Sequence, residues 1–382
     1  MNSGFATAEG TARYAQRFPQ AGSAGHFRRP EWVKDVGELT LSSIGIGTFL
    51  GEADDAADRA YTAAISEALR SGINVVDTAI NYRHQRSERN IGAALAEVIG
   101  AGQVRRDEVL VCSKAGCLTF DRDMPPDPRA YFMKEYIEPG ILDPAEIAGG
   151  MHCMAPRFLA DQLERSRRNL GLETIDVFYV HNPEAQLAEI PPSQFVTRLT
   201  AAFAELENAV QAGKIRCYGV ASWNAFRVDP GDRGYMPLEA VLHCAFNAGG
   251  EEHHFRFIQL PFNLAMTEAW SANNHQLDES EEGVSALEFA HRLGIAAVGS
   301  GTLAQGNLAG ELPDFVGKRL GMKSSAENAI QFARSSPGLV TALVGMGRPE
   351  HVQADLGVIS HPRADLEQWR SLFPQPRANP AG

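Results

Sequence analysis

The sequence predicts an α/β chain folded as one domain, a (β/α)8 TIM barrel. Three observations point there. Eight short apolar runs alternate with eight stretches of helical periodicity, which implies a parallel sheet covered by helices, and eight such units close a barrel. No Gly-x-Gly-x-x-Gly follows any apolar run, so an open, doubly wound dinucleotide-binding sheet lacks its phosphate turn. Reactive side chains stand at the ends of consecutive runs, where a barrel places its chemistry.

In chain order, residues 1–36 are rich in Gly, Ala, Ser, Gln and Arg with weak periodicity and read as a loosely held N-terminal extension. The barrel is expected over 37–360. Its first unit is a strand at 44–48 and a helix at 56–69, whose Ala60, Ala64, Ile65, Ala68 and Leu69 fall at helical spacing and whose end is marked by Gly72. The second unit pairs 73–77 with 87–99. A third strand at 109–114 reaches its helix, 157–170, only after a long insertion. The remaining pairs are 175–181 with 193–212, 215–220 with 237–246, 255–260 with 283–293, 295–299 with 326–335, and 339–344 with 349–358. Residues 361–382 read as a C-terminal tail. The insertions at 116–156 and 225–237 exceed ordinary connections, and such loops stand over the C-terminal face and shape a barrel's substrate cavity. Tyr131, Phe132 and Tyr136 in the first suggest a capped, partly aromatic cavity.

Composition narrows the partners. Forty-seven acidic residues against 35 basic ones give a formal net charge of −12. That disfavours nucleic acid and anionic membranes, both of which demand a basic surface. The five cysteines form no Cys-x-x-Cys pair, so neither a zinc ribbon nor a disulfide framework is indicated. With no signal-like segment and no apolar run long enough to span a bilayer, a cytoplasmic protein is expected.

Four residues carry the chemistry. Asp77 ends the second strand, Lys114 the third and His181 the fourth, while Tyr82 stands in the loop after the second. A phenol is a poor acid at neutral pH, but a nearby ammonium favours its ionised form, and a carboxylate keeps that ammonium charged and placed. A histidine opposite can orient a carbonyl oxygen. Singly, each has a plainer use: a lone Lys as a buried ion-pair partner, a lone His as a structural hydrogen-bonder, Asp-Thr as a helix entry. Together on one face they form a kit for protonating a carbonyl oxygen. Glu251-Glu-His-His254 and His152-Cys153 lack a second ligand pair, so no metal is expected. Cys112 shares the Lys114 face and reads as packing, and no Gly-x-Ser-x-Gly elbow is present.

The set Asp77-x4-Tyr82, Lys114 and His181-Asn-Pro183, with Ser87-Glu88 and Gly92, resembles the pattern of the aldo-keto reductase superfamily over about 41–358. The resemblance implies a nicotinamide dinucleotide extended over the C-terminal face, Tyr82 as general acid/base, Asp77 and Lys114 as its tuning pair, and His181 as the carbonyl-orienting group. It also implies a cofactor set of Gly47, Thr48, Ser222, Gln259, Ser300, Leu303, Gln305, Gly345, Met346, Arg348, His351 and Asp355. This half departs from the family. Ala221-Ser222 replaces the Ser-Asn pair that holds the carboxamide, and Ser300 replaces the aromatic that stacks on the nicotinamide. Gly345 and His351 replace a lysine and an arginine that favour a 2′-phosphate, with Arg348 as a compensating charge. On balance NADP(H) is preferred over NAD(H). The expected function is interconversion of a carbonyl (aldehyde, ketone or sugar) and an alcohol on a small-molecule substrate. A cofactor-binding regulatory subunit with weak turnover is the alternative.

Overall fold

The computed structural model describes residues 1–277 and 282–373. Eight parallel strands close a barrel in sequence order: β1 (Ile44–Gly47), β2 (Val75–Asp77), β3 (Leu110–Ala115), β4 (Ile175–His181), β5 (Ile215–Ala221), β6 (Phe255–Pro261), β7 (Ala296–Ser300) and β8 (Leu339–Gly345), with β8 returning to pair with β1. The covering helices are α1 (Asp55–Arg70), α2 (Arg86–Gly100), α3 (Pro156–Leu170), α4 (Pro192–Gln211), α5 (Leu238–Gly249), α6 (Ala286–Arg292), α7 (Ser325–Ser335) and α8 (Pro349–Asp355). Most ends lie within two residues of expectation. The exceptions are α5, which runs three residues past the expected 246, α8, which stops three short of 358, and α6, which starts at Ala286 because Ser285 caps it through Glu288 N–H, while Val284 lies in an extended bridge to His275.

The strand period of two sorts side chains into two layers. Outward-facing Val76, Val111, Phe178 and Val180 pack beneath the helices. Inward-facing Val75, Leu110, Cys112, Val177, Tyr179, Cys217 and Phe257 fill the barrel. Cys112 is therefore packing, as expected, with its thiol pushed well up by burial.

The N-terminal 36 residues are not loosely held. A helix at Ala8–Gln16 buries Tyr14 completely, and the Tyr14 hydroxyl donates to the carbonyls of Leu69 (2.7 Å) and Ile73 (3.1 Å). Val33, Val36 and Leu39 join the interior cluster and close the barrel's N-terminal end, with Trp32 packed beside them. These apolar residues fall three or four apart, but the run, opened by Pro30 and interrupted by Gly37, is too short to mark a helix, and the segment forms turns. The C-terminal segment is likewise built in as far as it is described. Trp369, on the helix Leu366–Arg370, is fully buried, stacks on Phe332 at 5.3 Å and donates to its carbonyl at 2.8 Å. Residues 374–382 lie outside the described residues.

The 116–156 insertion folds on itself. Leu118, Tyr136, Leu142, Cys153 and Phe158 form a small core with Tyr131 and Phe132 packed against it. The three aromatics thus build the insertion and do not line the cleft, because they stack on one another and on Phe120.

Candidate active site

Register brings the four chemical residues together. Asp77 pairs with Cys112, two residues before Lys114; Lys114 pairs with Tyr179, two residues before His181; and His181 pairs with Ala221, which pairs with Gln259. All the members of this staircase point inward at strand C-terminal ends. There they floor a cleft of roughly 650 Å³ lined by Asp77, Tyr82, His181, Ser222, Gln259 and Ser300 among others.

Lys114 is fully buried. Its ammonium donates to Asp77 Oδ1 and to the Thr78 carbonyl (2.8 Å) and sits 5.0 Å from the centre of the Tyr82 ring. Burial alone would lower the Lys114 pKa, but Asp77 and Tyr82 more than offset it and hold it raised. Burial pushes the Asp77 carboxyl upward, opposed by Lys114 and by Gln259, whose amide donates to Oδ2 at 2.8 Å. For Tyr82 the outcome differs from the sequence expectation. Burial raises the phenol and outweighs the ammonium that pulls it down, so the proton stays on oxygen at neutral pH. His181 is held well below the ordinary imidazole range by burial, with Lys114 and His152 adding, so it is neutral. Its ring lies edge-on to Tyr82 at 5.8 Å, and its Nδ1 has no partner among the described residues.

The turn that carries Tyr82 is strained. Arg83, His84 and Gln85 follow it with φ of 48°, 55° and 66°, three successive left-handed residues without a glycine. Buried Arg83 pins this turn by donating to Asp58 (2.6 Å), Asn90 (2.7 Å) and the Glu52 carbonyl (2.8 Å). Ser87 and Glu88 fasten the helix that follows: the Ser87 hydroxyl donates to the Thr48 carbonyl and Glu88 accepts from Ser113 and Asn169.

Ten of the twelve sequence-derived cofactor residues line the cleft: Gly47, Thr48, Ser222, Gln259, Ser300, Leu303, Gln305, Gly345, His351 and Asp355. Two do not. Beyond the end of β8, Met346 turns into the helix layer and is fully buried, while Arg348 is exposed at the start of α8 and off the cleft. Ser222 is already committed. Its hydroxyl donates to Glu184 at 2.9 Å and accepts from Ala225 N–H at 2.8 Å, and the same Glu184 oxygen accepts from Trp223 N–H at 2.9 Å.

Several cleft residues escaped sequence reading. Among the described residues Asn81 Oδ1 and Thr302 Oγ1 are buried without partners, and Asn81, Thr302 and Phe49 line the cleft. The partly exposed Trp223 lines it too and lies against Gly301. His152, on the insertion, meets the His181 carbonyl through Nε2 at 2.8 Å, and its Nδ1 faces the Gln186 amide at 3.0 Å. Arg198 in turn donates to Gln186 Oε1 at 2.6 Å. Burial drops His152 to about 4, so it is neutral, and donation from Nε2 with acceptance at Nδ1 makes the chain consistent. No residue spacing could have announced it, since its members come from 29 to 34 positions apart or on another helix.

The fold is a (β/α)8 barrel whose C-terminal face carries a cleft that Asp77, Tyr82 and His181 line. The chain belongs to the Aldo/keto reductase family, whose model matches residues 43–372. It is 27% identical over 193 residues to an NADH-specific methylglyoxal reductase of Escherichia coli (strain K12), covering 49% of this chain and 50% of the relative. To the L-glyceraldehyde 3-phosphate reductase of the same organism it is 26% identical over 191 residues, 50% of this chain and 44% of the relative. The chain therefore spans about half the length of the curated relatives it matches. Among solved structures, an aldo-keto reductase from Bacillus halodurans in its holo form superposes with a TM-score of 0.60 at 17% identity, covering 91% and 94% of the two chains. An aldo/keto reductase from Klebsiella pneumoniae in complex with NADP and acetate gives 0.58 at 19%, covering 89% and 94%. At these identities the likeness bears on the fold.

Proposed function

We propose that the chain is a nicotinamide-dependent oxidoreductase that interconverts an aldehyde, ketone or sugar carbonyl and its alcohol. The observation that carries this reading is the Asp77–Lys114–Tyr82–His181 set converging on the cleft floor. Family membership supports it, as do the nicotinamide cofactors named for its relatives. The cofactor, when bound, supplies or accepts the hydride. Neutral His181 holds the substrate oxygen by a hydrogen bond, Tyr82 gives that oxygen its proton, and Lys114 stabilises the phenolate left behind. In the oxidative direction Tyr82 takes the proton back.

The cleft suits a carboxamide and pyrophosphate. Asn81 Oδ1 and Thr302 Oγ1 are buried polar atoms without protein partners, and a Cβ at Gly345 would meet open space. Gln259 can release Asp77 to meet an amide, whereas Ser222, bound to Glu184, offers only an acceptor. For the adenosine end we favour NAD(H) over the NADP(H) expected from sequence: Arg348 is off the cleft, and Asp355 lines it, where its ionised form would repel a 2′-phosphate. Trp223 is placed to supply the aromatic face that Ser300 lacks. The five cysteines are free thiols, in keeping with a cytoplasmic setting, and no helix among the described residues is long and apolar enough to cross a membrane. No observation favours the regulatory alternative.

Turnover of a panel of small carbonyls with NADH and NADPH tests the reading. Tyr82→Phe is expected to lower kcat by about 10²–10⁴-fold while cofactor fluorescence titrations stay unchanged. Full activity in that variant would remove Tyr82 from the mechanism, and cofactor binding without turnover in the parent would remove the enzyme.

A further inference from the structure

Three arginines meet at the N-terminal end of the barrel, opposite the cleft, without an acid. Arg334, in the last turn of α7, is fully buried; Arg28, on the two-residue ribbon Phe27–Arg28 that pairs with Leu41–Ser42, and Arg363, after α8, are partly exposed. Contacts knit them into one layer. Arg28 Nη1 donates to the carbonyls of Leu339 (2.5 Å) and Arg334 (3.5 Å). Arg334 donates to Gln331 Oε1 (2.7 Å), Ser43 Oγ (3.2 Å) and the His361 carbonyl. Arg363 holds the Ala24 carbonyl through its backbone N–H, and its side chain runs past Gly25.

Every partner in that inventory is neutral. Among the described residues none of the three guanidiniums has a carboxylate within ion-pair distance. Burial drops both Arg28 and Arg334 to about 9, and mutual repulsion within the trio adds to it, yet both remain cations at neutral pH. Adjacent His26, between Ser43 Oγ and the Gly72 carbonyl, is neutral and contributes no charge of either sign. Three positive charges thus face the roughly −0.5 charge at the end of a helix. In a chain of net charge −12 this is an uncompensated local excess. Buried cations are ordinarily paired, because an isolated one is costly to desolvate. Nε and Nη2 of Arg28 and the Arg363 guanidinium donate to no acceptor among the described residues.

We propose that Arg28 and Arg363, with the buried charge of Arg334 behind them, form a binding site for a phosphate group, free or as a phosphate monoester, that fastens the ribbon and the 361–363 segment together over the end of α7. Planar guanidinium forks take oxygens two at a time, and a tetrahedral dianion has enough of them to serve two forks at once, which a chloride or a single carboxylate does not. The site is remote from the cleft and does not rest on the oxidoreductase reading.

Thermal melting of the full chain tests it at pH 7.5 and constant ionic strength, with sodium phosphate, glycerol phosphate or sodium chloride, each with and without saturating NADH to occupy the cleft. Phosphate is expected to raise Tm by about 3 °C over chloride with NADH present. Activity of inorganic phosphate alone identifies the free ion as ligand; an equal response to glycerol phosphate extends the site to esters. Arg363→Gln should weaken the apparent affinity about 10-fold. Arg363→Glu, which supplies a carboxylate to the other two arginines, should raise Tm in chloride and abolish the phosphate response. No phosphate response in the parent, a response that NADH removes, or one that both Arg363 variants retain in full would overturn the proposal.

Discussion

On the proposed reading, Asp355 bears on both coenzyme choice and pH behaviour. It lines the cleft, and burial, with Glu327 adding, raises its carboxyl to about 7. The folded chain therefore keeps a proton that the unfolded chain releases near pH 4. The stability from this group is full below that pH and is lost as pH rises through about 7. Asp355→Asn is expected to melt above the parent at pH 8, by several degrees, with the gap closing as pH falls toward 4; a pH series of thermal melts measures it. The same variant should improve kcat/KM with NADPH more than with NADH, since it removes a charge that repels phosphate. At this scale the sequence was informative about the four chemical residues, because strand-end position and residue type coincide in each. It was uninformative about the sign of the Tyr82 shift, which depends on how much burial opposes the ammonium. It was likewise silent on Ser222, whose partner, Glu184, sits on another loop.

Among the elements, strand register did most to make the site readable: an alternating apolar run fixes which face a terminal Asp77, Lys114 or His181 presents. The connections were less legible. Tyr131, Phe132 and Tyr136 were visible as aromatic, but whether such residues face a cavity or each other is decided by packing, which has no period. The same holds for Met346 and Arg348, whose directions are set where β8 stops pairing at Gly345. His152 is the connection residue with the clearest consequence. As the only side chain bonded to the His181 carbonyl among the described residues, it positions the strand end that presents the imidazole. His152→Ala is expected to lower kcat about 10-fold or more, through displacement of His181, with the cofactor dissociation constant unchanged. A variant that loses cofactor affinity and kcat in parallel would assign His152 a general folding role instead.

For the whole molecule, the eight-unit count was sufficient to give the barrel, yet the closure of its N-terminal end was hidden in residues that read as an extension. Val33, Val36 and Leu39 complete the interior from below, opposite the cleft. Val36→Asp is expected to cost about 2–4 kcal/mol by burying a carboxylate there, while kcat at 20 °C stays near the parent's, since the chemistry lies at the other end. Denaturant melts with parallel rate measurements separate the two effects. The brace from Arg198 through Gln186 and His152 has a different implication, for descent. The insertion over 116–156 has the look of a module exchangeable to alter substrate range, but it also steadies the strand end that carries His181. Exchanging it without Gln186 and Arg198 would trade new specificity for a slower catalyst. Lineages that vary this loop are thus expected to vary those two helix-borne partners with it, so that substrate range and turnover evolve as one linked trait.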